Sequence, residues 1–403
     1  MKYLFIDSKC RISFDDDNCY QNDSAMPNEK GEETVALAKK LAHSKVAETI
    51  INFSNAFKNI AVLTAAGTSL DNGASPGKTR EGLWSFCETE INAIYDVLKG
   101  NGGTLKSNLD KTKAEHNIED FLSIVVIYEK LNGEIKDKHG ESLRVRLQNM
   151  IADACRLTLD ENNRHHSDFL RKLTARKPSD PRIQLYTTNY DTLFEQAAMQ
   201  AGLTMIDGFT FSHPRVFSGV NFDYDIVYRE RSRIKPDESF IPNVFQLFKI
   251  HGSVDWHKES DDRIVQKTNV DNPCIIYPAS DKYESSYEQP YIELIAHLQQ
   301  TLRKEGTLLI VIGFGFKDKH IQGIIKEAVS QNTHFHLLIV CYGKGDDGNE
   351  TGIQSGYAPG FIYDDLKVPS NVTVLFSTFK EFVEAYPLNQ SYADIIVPSH
   401  AAI

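Results

Sequence analysis

An α/β protein with a Rossmann-like parallel sheet is what the sequence predicts, and three observations carry the prediction. First, the C-terminal half alternates apolar strands with amphipathic helices: helix YIELIAHLQQTLRK, strand TLLIVIGF, helix KHIQGIIKEAV, strand HFHLLIVCY, strand VTVLFS and helix TFKEFVEAY. Strands this rich in Val, Ile and Leu are buried on both faces, as in a parallel sheet covered by helices. Second, PRIQLYTTNYDTLFEQAAMQAG adds a further βα unit, with a strand at Ile183 to Thr187 and a helix that stops at Gly202. Third, the short run Ile60-Ala61-Val62-Leu63 leads straight into Gly67, Thr68 and Ser69, a strand followed by a glycine and hydroxyl turn of the kind that suits a phosphate.

The remaining elements follow in order. Residues 1–57 read as an N-terminal extension and lead-in helix, a candidate assembly arm: DDDN and NEKGEE are polar, and apolar residues take helical spacing only from Leu37 to Phe57. Three amphipathic stretches, GLWSFCETEINAIYDVLKG, NIEDFLSIVVIYEKLNG and SLRVRLQNMIADACRLTL, predict a helical insertion at about 84–178 after the first strand. Asn117 is placed to cap the middle helix, with two acids in its first turn. Residues 203–285 are mixed, with short apolar runs such as VFQLFKI and CIIYP. Residues 58–388 read as the main unit, and 389–403 as a tail.

At 403 residues and 41% hydrophobic composition the chain can bury a large core. Its net charge of -11 argues against general nucleic-acid affinity, which needs clustered Lys and Arg. The cysteines at 10, 19, 87, 155, 274 and 341 contain no C-x-x-C pair, so no zinc site is expected and reduced thiols are. The N-terminus lacks a leader pattern and no run of about 18 apolar residues occurs, which predicts a cytoplasmic protein without a membrane span.

Four polar clusters fall at predicted strand ends, where open α/β sheets bind ligands: Ala65 to Ser69, Thr187 to Asp191, Lys249 to His257 and Gly313 to Ile321. Read singly, each has an ordinary structural explanation, namely a tight turn, a capping Asn189 or a satisfied core histidine at His251. His251, Asp255 and His257 also admit a metal-ligand reading, and Ser253 a nucleophile reading without the G-x-S-x-G elbow.

Taken in their order along the chain, these clusters resemble the sirtuin family, in its divergent antiviral branch, over Phe57 to Tyr386. The family's phosphate turn is matched by Ala65, Ala66, Gly67, Thr68 and Ser69, with Ala65 in place of its first glycine. Its catalytic segment is matched by Thr188, Asn189 and Asp191, its H-G motif by His251-Gly252, and its adenine-ribose segment by Gly313, Phe314 and Gly315. DKHI after that segment, and NIEDFLS in the insertion, are similar to the antiviral branch. The resemblance implies a sirtuin-like fold that takes NAD as substrate, with Asn189, His251 and Asp191 catalytic and the other matched residues binding the dinucleotide. Asn189 would hold a water or the ribose hydroxyls, Asp191 the nicotinamide carboxamide, and His251 would act as general base near neutral pH.

Two departures shape the expected reaction. The zinc-binding C-x-x-C pairs of deacylating sirtuins are missing, and the loop that closes over the cofactor is replaced by GASPGKTREGLW, where Lys78 or Arg80 is available to a phosphate. With no acyl-peptide cleft implied, water becomes the acceptor, giving nicotinamide and ADP-ribose. The resemblance further implies antiphage NAD depletion by a homo-oligomer that assembles with a HerA-type hexameric ATPase, nucleic acid being reached only through that partner. A protein deacylase, a sensor of NAD or ADP-ribose, and a nuclease component stand as alternatives.

Overall fold

The computed structural model describes residues 2–28, 33–101, 103–229, 239–268, 270–277, 289–316, 318–341, 361 and 367–393. Seven strands form the parallel heart of one sheet: β5 (Asn59–Thr64), β6 (Ile183–Thr187), β7 (Thr204–Ile206), β8 (Val244–Lys249), β11 (Thr307–Ile312), β12 (Phe335–Cys341) and β13 (Val372–Phe376). Their order is β13-β12-β11-β5-β6-β8-β7. Every residue of β8 and β11 is buried, as is all of β5 beyond Asn59, which accounts for their mostly apolar sequences.

The chain leaves β5 toward β6 and β8, then returns to the other side of β5 to make β11, β12 and β13. The direction of winding therefore reverses between β5 and β11, and the crossover connections that follow these two strands run over opposite faces of the sheet. Helices sort accordingly. On one side α7 (His165–Thr174) packs on α8 (Leu193–Ala201) and α11 (Phe379–Ala385), and α1 (Thr34–Ala56) packs on α11; on the other, α9 (Tyr291–Arg303) packs on α10 (Lys319–Gln331). Capping fixes several ends: Asp318 accepts from His320 N and Ile321 N to open α10, Thr378 and Glu381 form a capping box on α11, and left-handed Gly202 closes α8.

Residues read from sequence as an extension outside the core behave differently. Strands β1 (Lys2–Ile6), β2 (Arg11–Phe14), β3 (Cys19–Gln21) and β4 (Ser24–Ala25) form an antiparallel meander, and β1 pairs with β13, lengthening the sheet to eleven strands. Leu4, Phe5, Ile6, Ile12 and Phe14 join the main core. The acidic turn at 15–18 is what made this segment look peripheral: Asp15 closes the β2–β3 hairpin by accepting from Asp17 N and Asn18 N. Four strands are too short for a clear alternation signal.

Between β5 and β6 lie α2 (Ala66–Leu70), α3 (Arg80–Leu98), α4 (Gly103–Ala114), α5 (Ile118–Asn132), α6 (Leu143–Ala154) and α7. Trp84, Ile91, Phe121, Leu122, Leu147 and Ile151 of α3, α5 and α6 bury one another in a second core. Asn117 caps α5 by accepting from Asp120 N at 3.3 Å. In contrast, α7 gives Phe169, Leu170 and Leu173 to the sheet's core. The β9 (Trp256–Lys258) and β10 (Ile264–Gln266) hairpin is a separate two-stranded sheet. Among the described residues, no helix is long and apolar enough to cross a membrane.

One core residue gives the fold a pH dependence. His166 on α7 is fully buried between Phe194 and Phe379, at ring-centroid distances of 5.1 and 5.0 Å, and neither ring nitrogen has a hydrogen-bond partner among the described residues. Burial pushes its imidazole down to about 3. The folded state thus keeps His166 neutral while the unfolded chain takes up a proton below about pH 6.5, so its stabilising contribution is complete above that pH and declines toward pH 3. Unfolding by denaturant is expected to show about 2 kcal/mol less pH dependence between pH 7 and 5 in His166→Leu than in wild type. Equal pH dependence in the two proteins would contradict this assignment.

Candidate functional site

All four polar clusters emerge at the carboxyl edge of the parallel strands. Ala65 to Ser69 follow β5, Thr188 to Asp191 follow β6, His251 follows β8 and Gly313 to Gly315 follow β11. The first and last meet at the point where winding reverses. Gly67 N donates to Gly313 O at 3.3 Å, and Ala65 N donates to Ile312 O at 3.1 Å. A Cβ on Gly67 would lie 2.5 Å from Gly313 Cα, and one on Gly313 would lie 2.6 Å from Gly67 Cα. Gly313 also has φ +64°, so two bare backbones touch where side chains would hold them apart.

The predicted turn is a short helix, α2. Within it Thr68 and Ser69 are buried, while Ala66 is exposed and Gly67 half-buried, which leaves the backbone of the first turn facing outward. The segment after β6 is fastened to it. Thr188 N donates to Thr64 O at 3.0 Å, joining the two strand ends. The Asn189 side chain, steadied by its own N–H donating to Thr187 Oγ1, directs Nδ2 at Ala65 O (3.0 Å), Thr68 Oγ1 (3.2 Å) and Ser69 Oγ (2.8 Å). Ser69 in turn donates to Asp191 Oδ2 at 2.6 Å, and Asp191 Oδ1 accepts from Leu193 N at 3.1 Å.

This chain of bonds has a direction. Asn189 gives its amide hydrogens to the α2 segment, Ser69 passes the polarity on, and the Asp191 carboxylate receives it. The Asn189 carbonyl oxygen is thereby left as the group that can accept from a ligand or water. Asp191 is buried, and each of its oxygens accepts a hydrogen bond inside the protein, one of them from Ser69.

His251 is buried, and its Nε2 stands 3.3 Å from Asp318 Oδ2. Its backbone is set by Gly252, whose φ is +81° and where a Cβ would lie 2.2 Å from Cys274 O. Ile276 N donates to His251 O at 2.9 Å, and the Tyr190 hydroxyl donates to Ile276 O at 2.5 Å, tying the β6 and β8 loops to the same strip of chain. Phe314 is buried and Gly315 exposed with open space around it.

Beneath these loops lies a charge that sequence reading passed over. Lys249, at the end of β8 and 4% exposed, donates to the carbonyls of Tyr190 and Asp191 and to Glu195 Oε1 at 2.8 Å. Desolvation opposes its charge, but Glu195, Asp255 and Asp191 outweigh it and hold the ammonium above its ordinary value. Burial pushes the Glu195 carboxyl up to about 7 despite the lysine. Lys249 and Asp318 both lay within quoted motifs. The signals available were a charged residue closing a mostly apolar strand, and an acid one position before a helix.

Other expectations fall elsewhere. Lys78 stacks its ammonium over the Phe86 ring at 4.9 Å, and the Arg80 side chain lies outside the described residues. Ser253 Oγ donates to Tyr190 O at 3.3 Å, and Asp255 Oδ2 accepts from Gln266 at 2.7 Å. Asp255 is thus bonded to β10, and His257 lies on β9 itself; no group of three metal-ligating side chains occurs among the described residues.

The close approach at the winding reversal predicts unequal glycines. Gly313→Ala is expected to destabilise by at least about 1 kcal/mol, since it combines a positive φ with a backbone clash. Gly315→Ala, in open space, is expected to cost below about 0.5 kcal/mol. Denaturant unfolding of the two variants checks this, and equal losses would contradict it.

A family model described as SIR2-like domain matches residues 184–354. That span contains Thr188, Asn189, Asp191, His251 and Gly313 to Gly315, and begins after the Ala65 to Ser69 segment. No curated protein matches the chain. Among solved structures, the chain is similar to Sir2Tm bound to a propionylated peptide, with 13% identity and a TM-score of 0.37 over 84% of this chain and 95% of that one. It is likewise similar to a Sir2, p53 peptide and NAD+ structure, with 12% identity and a TM-score of 0.36 over 84% and 95% of the two chains.

Proposed function

We propose that this chain is an NAD+ hydrolase that cleaves the bond between nicotinamide and ribose to give nicotinamide and ADP-ribose. The observation that carries the reading is the bonded chain Asn189 to Ser69 to Asp191, which locks the β6 loop onto the α2 segment and leaves the Asn189 amide oxygen as an acceptor. The SIR2-like match over residues 184–354 supports NAD+ as the ligand, because it covers the Asn189 and His251 loops together.

In this reading the dinucleotide's phosphates lie against Ala65 to Ser69 and its adenosine ribose against Gly313 to Gly315. Cleavage breaks the C1′–N1 bond. The bonding electron pair moves to the positively charged pyridinium nitrogen, so nicotinamide leaves neutral and no acid is required. The cation left on the ribose is oxocarbenium-like, and the site serves it by excluding random solvent and orienting one attacking oxygen. Asn189 Oδ1 accepts one hydrogen of the attacking water. His251 accepts the proton released as the water oxygen bonds to C1′, or polarises a ribose hydroxyl beside it. Asp191 acts through Ser69, keeping the amide of Asn189 in register. Water is the acceptor because the chain has no C-x-x-C pair with which to build the zinc module of peptide-deacylating relatives.

The resemblance of the motifs to the antiviral branch extends the proposal to its setting. There the chain depletes NAD+ during phage infection, as a homo-oligomer under the control of a HerA-type ATPase. Residues 58–388 carry the site residues, and 1–57, whose strands β1 to β4 extend the same sheet, contribute to assembly.

Chromatography of NAD+ incubated with the purified chain, alone and with the ATPase partner, tests the reaction. Equimolar nicotinamide and ADP-ribose are expected, with release falling about 100-fold or more in Asn189→Ala and in His251→Ala. Intact NAD+ under both conditions would overturn the hydrolase reading.

A further inference from the structure

We infer that Asp318 is a positioning residue that fixes the tautomer of His251, an inference that rests on the proposed role of that histidine. The two oxygens of Asp318 are split between two tasks. Oδ1 accepts from His320 N and Ile321 N at 3.1 and 3.2 Å and caps α10, while Oδ2 faces His251 Nε2 at 3.3 Å. The cap immobilises the carboxylate, because two backbone donors and the first turn of a thirteen-residue helix hold it. Both side chains are largely shielded from water, at 8% and 14% exposure.

A carboxylate offers only acceptors, so its approach to 3.3 Å favours the hydrogen on Nε2 and leaves the lone pair of a neutral imidazole on Nδ1. When His251 takes up a proton during the reaction, the adjacent carboxylate stabilises the imidazolium without itself being protonated. The arrangement also joins the β8 loop to the β11 loop. The general base and the segment assigned to the adenosine ribose are thereby set by one side chain.

Asp318→Asn separates the two tasks. Asparagine caps a helix about as well as aspartate, so Oδ1 is retained on α10, while an amide hydrogen is turned toward Nε2. That donor favours the opposite tautomer, with the hydrogen on Nδ1. Nitrogen NMR of protein labelled at histidine, with the His251 signal identified by its loss in His251→Gln, reads the tautomer without requiring turnover. The expected result is an Nε2–H imidazole in wild type that shifts to Nδ1–H in Asp318→Asn, with unchanged melting temperature. Alongside it, kcat for NAD+ is expected to fall at least about 10-fold with little change in KM. An identical tautomer in both proteins, or an equal kcat, would overturn the inference. If wild type leaves NAD+ intact, the hydrolase reading fails, and the tautomer measurement still decides whether Asp318 sets His251.

Discussion

The contact between Gly67 and Gly313 is the constraint on which the rest of the site depends. Two strands that wind in opposite directions deliver their loops to one place, and each loop can reach it only because neither carries a side chain there. With Gly67 N bonded to Gly313 O, the α2 segment is pinned at the sheet edge with its exposed first turn outward. Everything assigned to ligand chemistry is then measured from that fixed segment. Asn189 bonds to its carbonyl and hydroxyls, and Ser69 relays that bond to Asp191.

Polar groups around this point are kept in order by charges set deeper in the fold. Lys249 gathers the carbonyls of Tyr190 and Asp191 from below, and Glu195 on the following helix balances it. A buried pair of this kind contributes little net stability, since desolvation consumes most of the attraction, but removing one partner leaves a costly charge. Its value lies in holding a loop whose own backbone carbonyls point inward. Asp318 plays a comparable part on the other side, sharing itself between a helix cap and His251. Rigid support of this sort is what the proposed hydrolysis requires, because in it the protein supplies only orientation and electrostatics.

Much of this was legible in the sequence, for physical reasons. Strands β5, β11, β12 and β13 announce themselves because strands buried on both faces are mostly apolar, β6 is marked by the helix that follows it, and the polar clusters stand out at the strand ends. Asn117 and Gly202 were readable because capping depends on one residue and its neighbours. The N-terminal meander was not, since its strands are three to five residues long except for the two-residue β4, and β13, with which β1 pairs, lies more than 300 residues away. Nor could spacing reveal that Ser69 joins Asn189 to Asp191, or that Asp318 faces His251. These are contacts between loops far apart in the chain, and only the sheet order makes them neighbours.

The central claim is that the loops after β5, β6, β8 and β11 form a single dinucleotide site. A crystal structure of Asn189→Ala soaked with NAD+ tests it most directly. The account predicts the pyrophosphate against Ala65 to Ser69, the adenosine ribose beside Gly313 to Gly315, and the nicotinamide ribose between the β6 loop and His251. NAD+ bound away from the Gly67 and Gly313 contact, or no bound dinucleotide at saturating concentration, would contradict it.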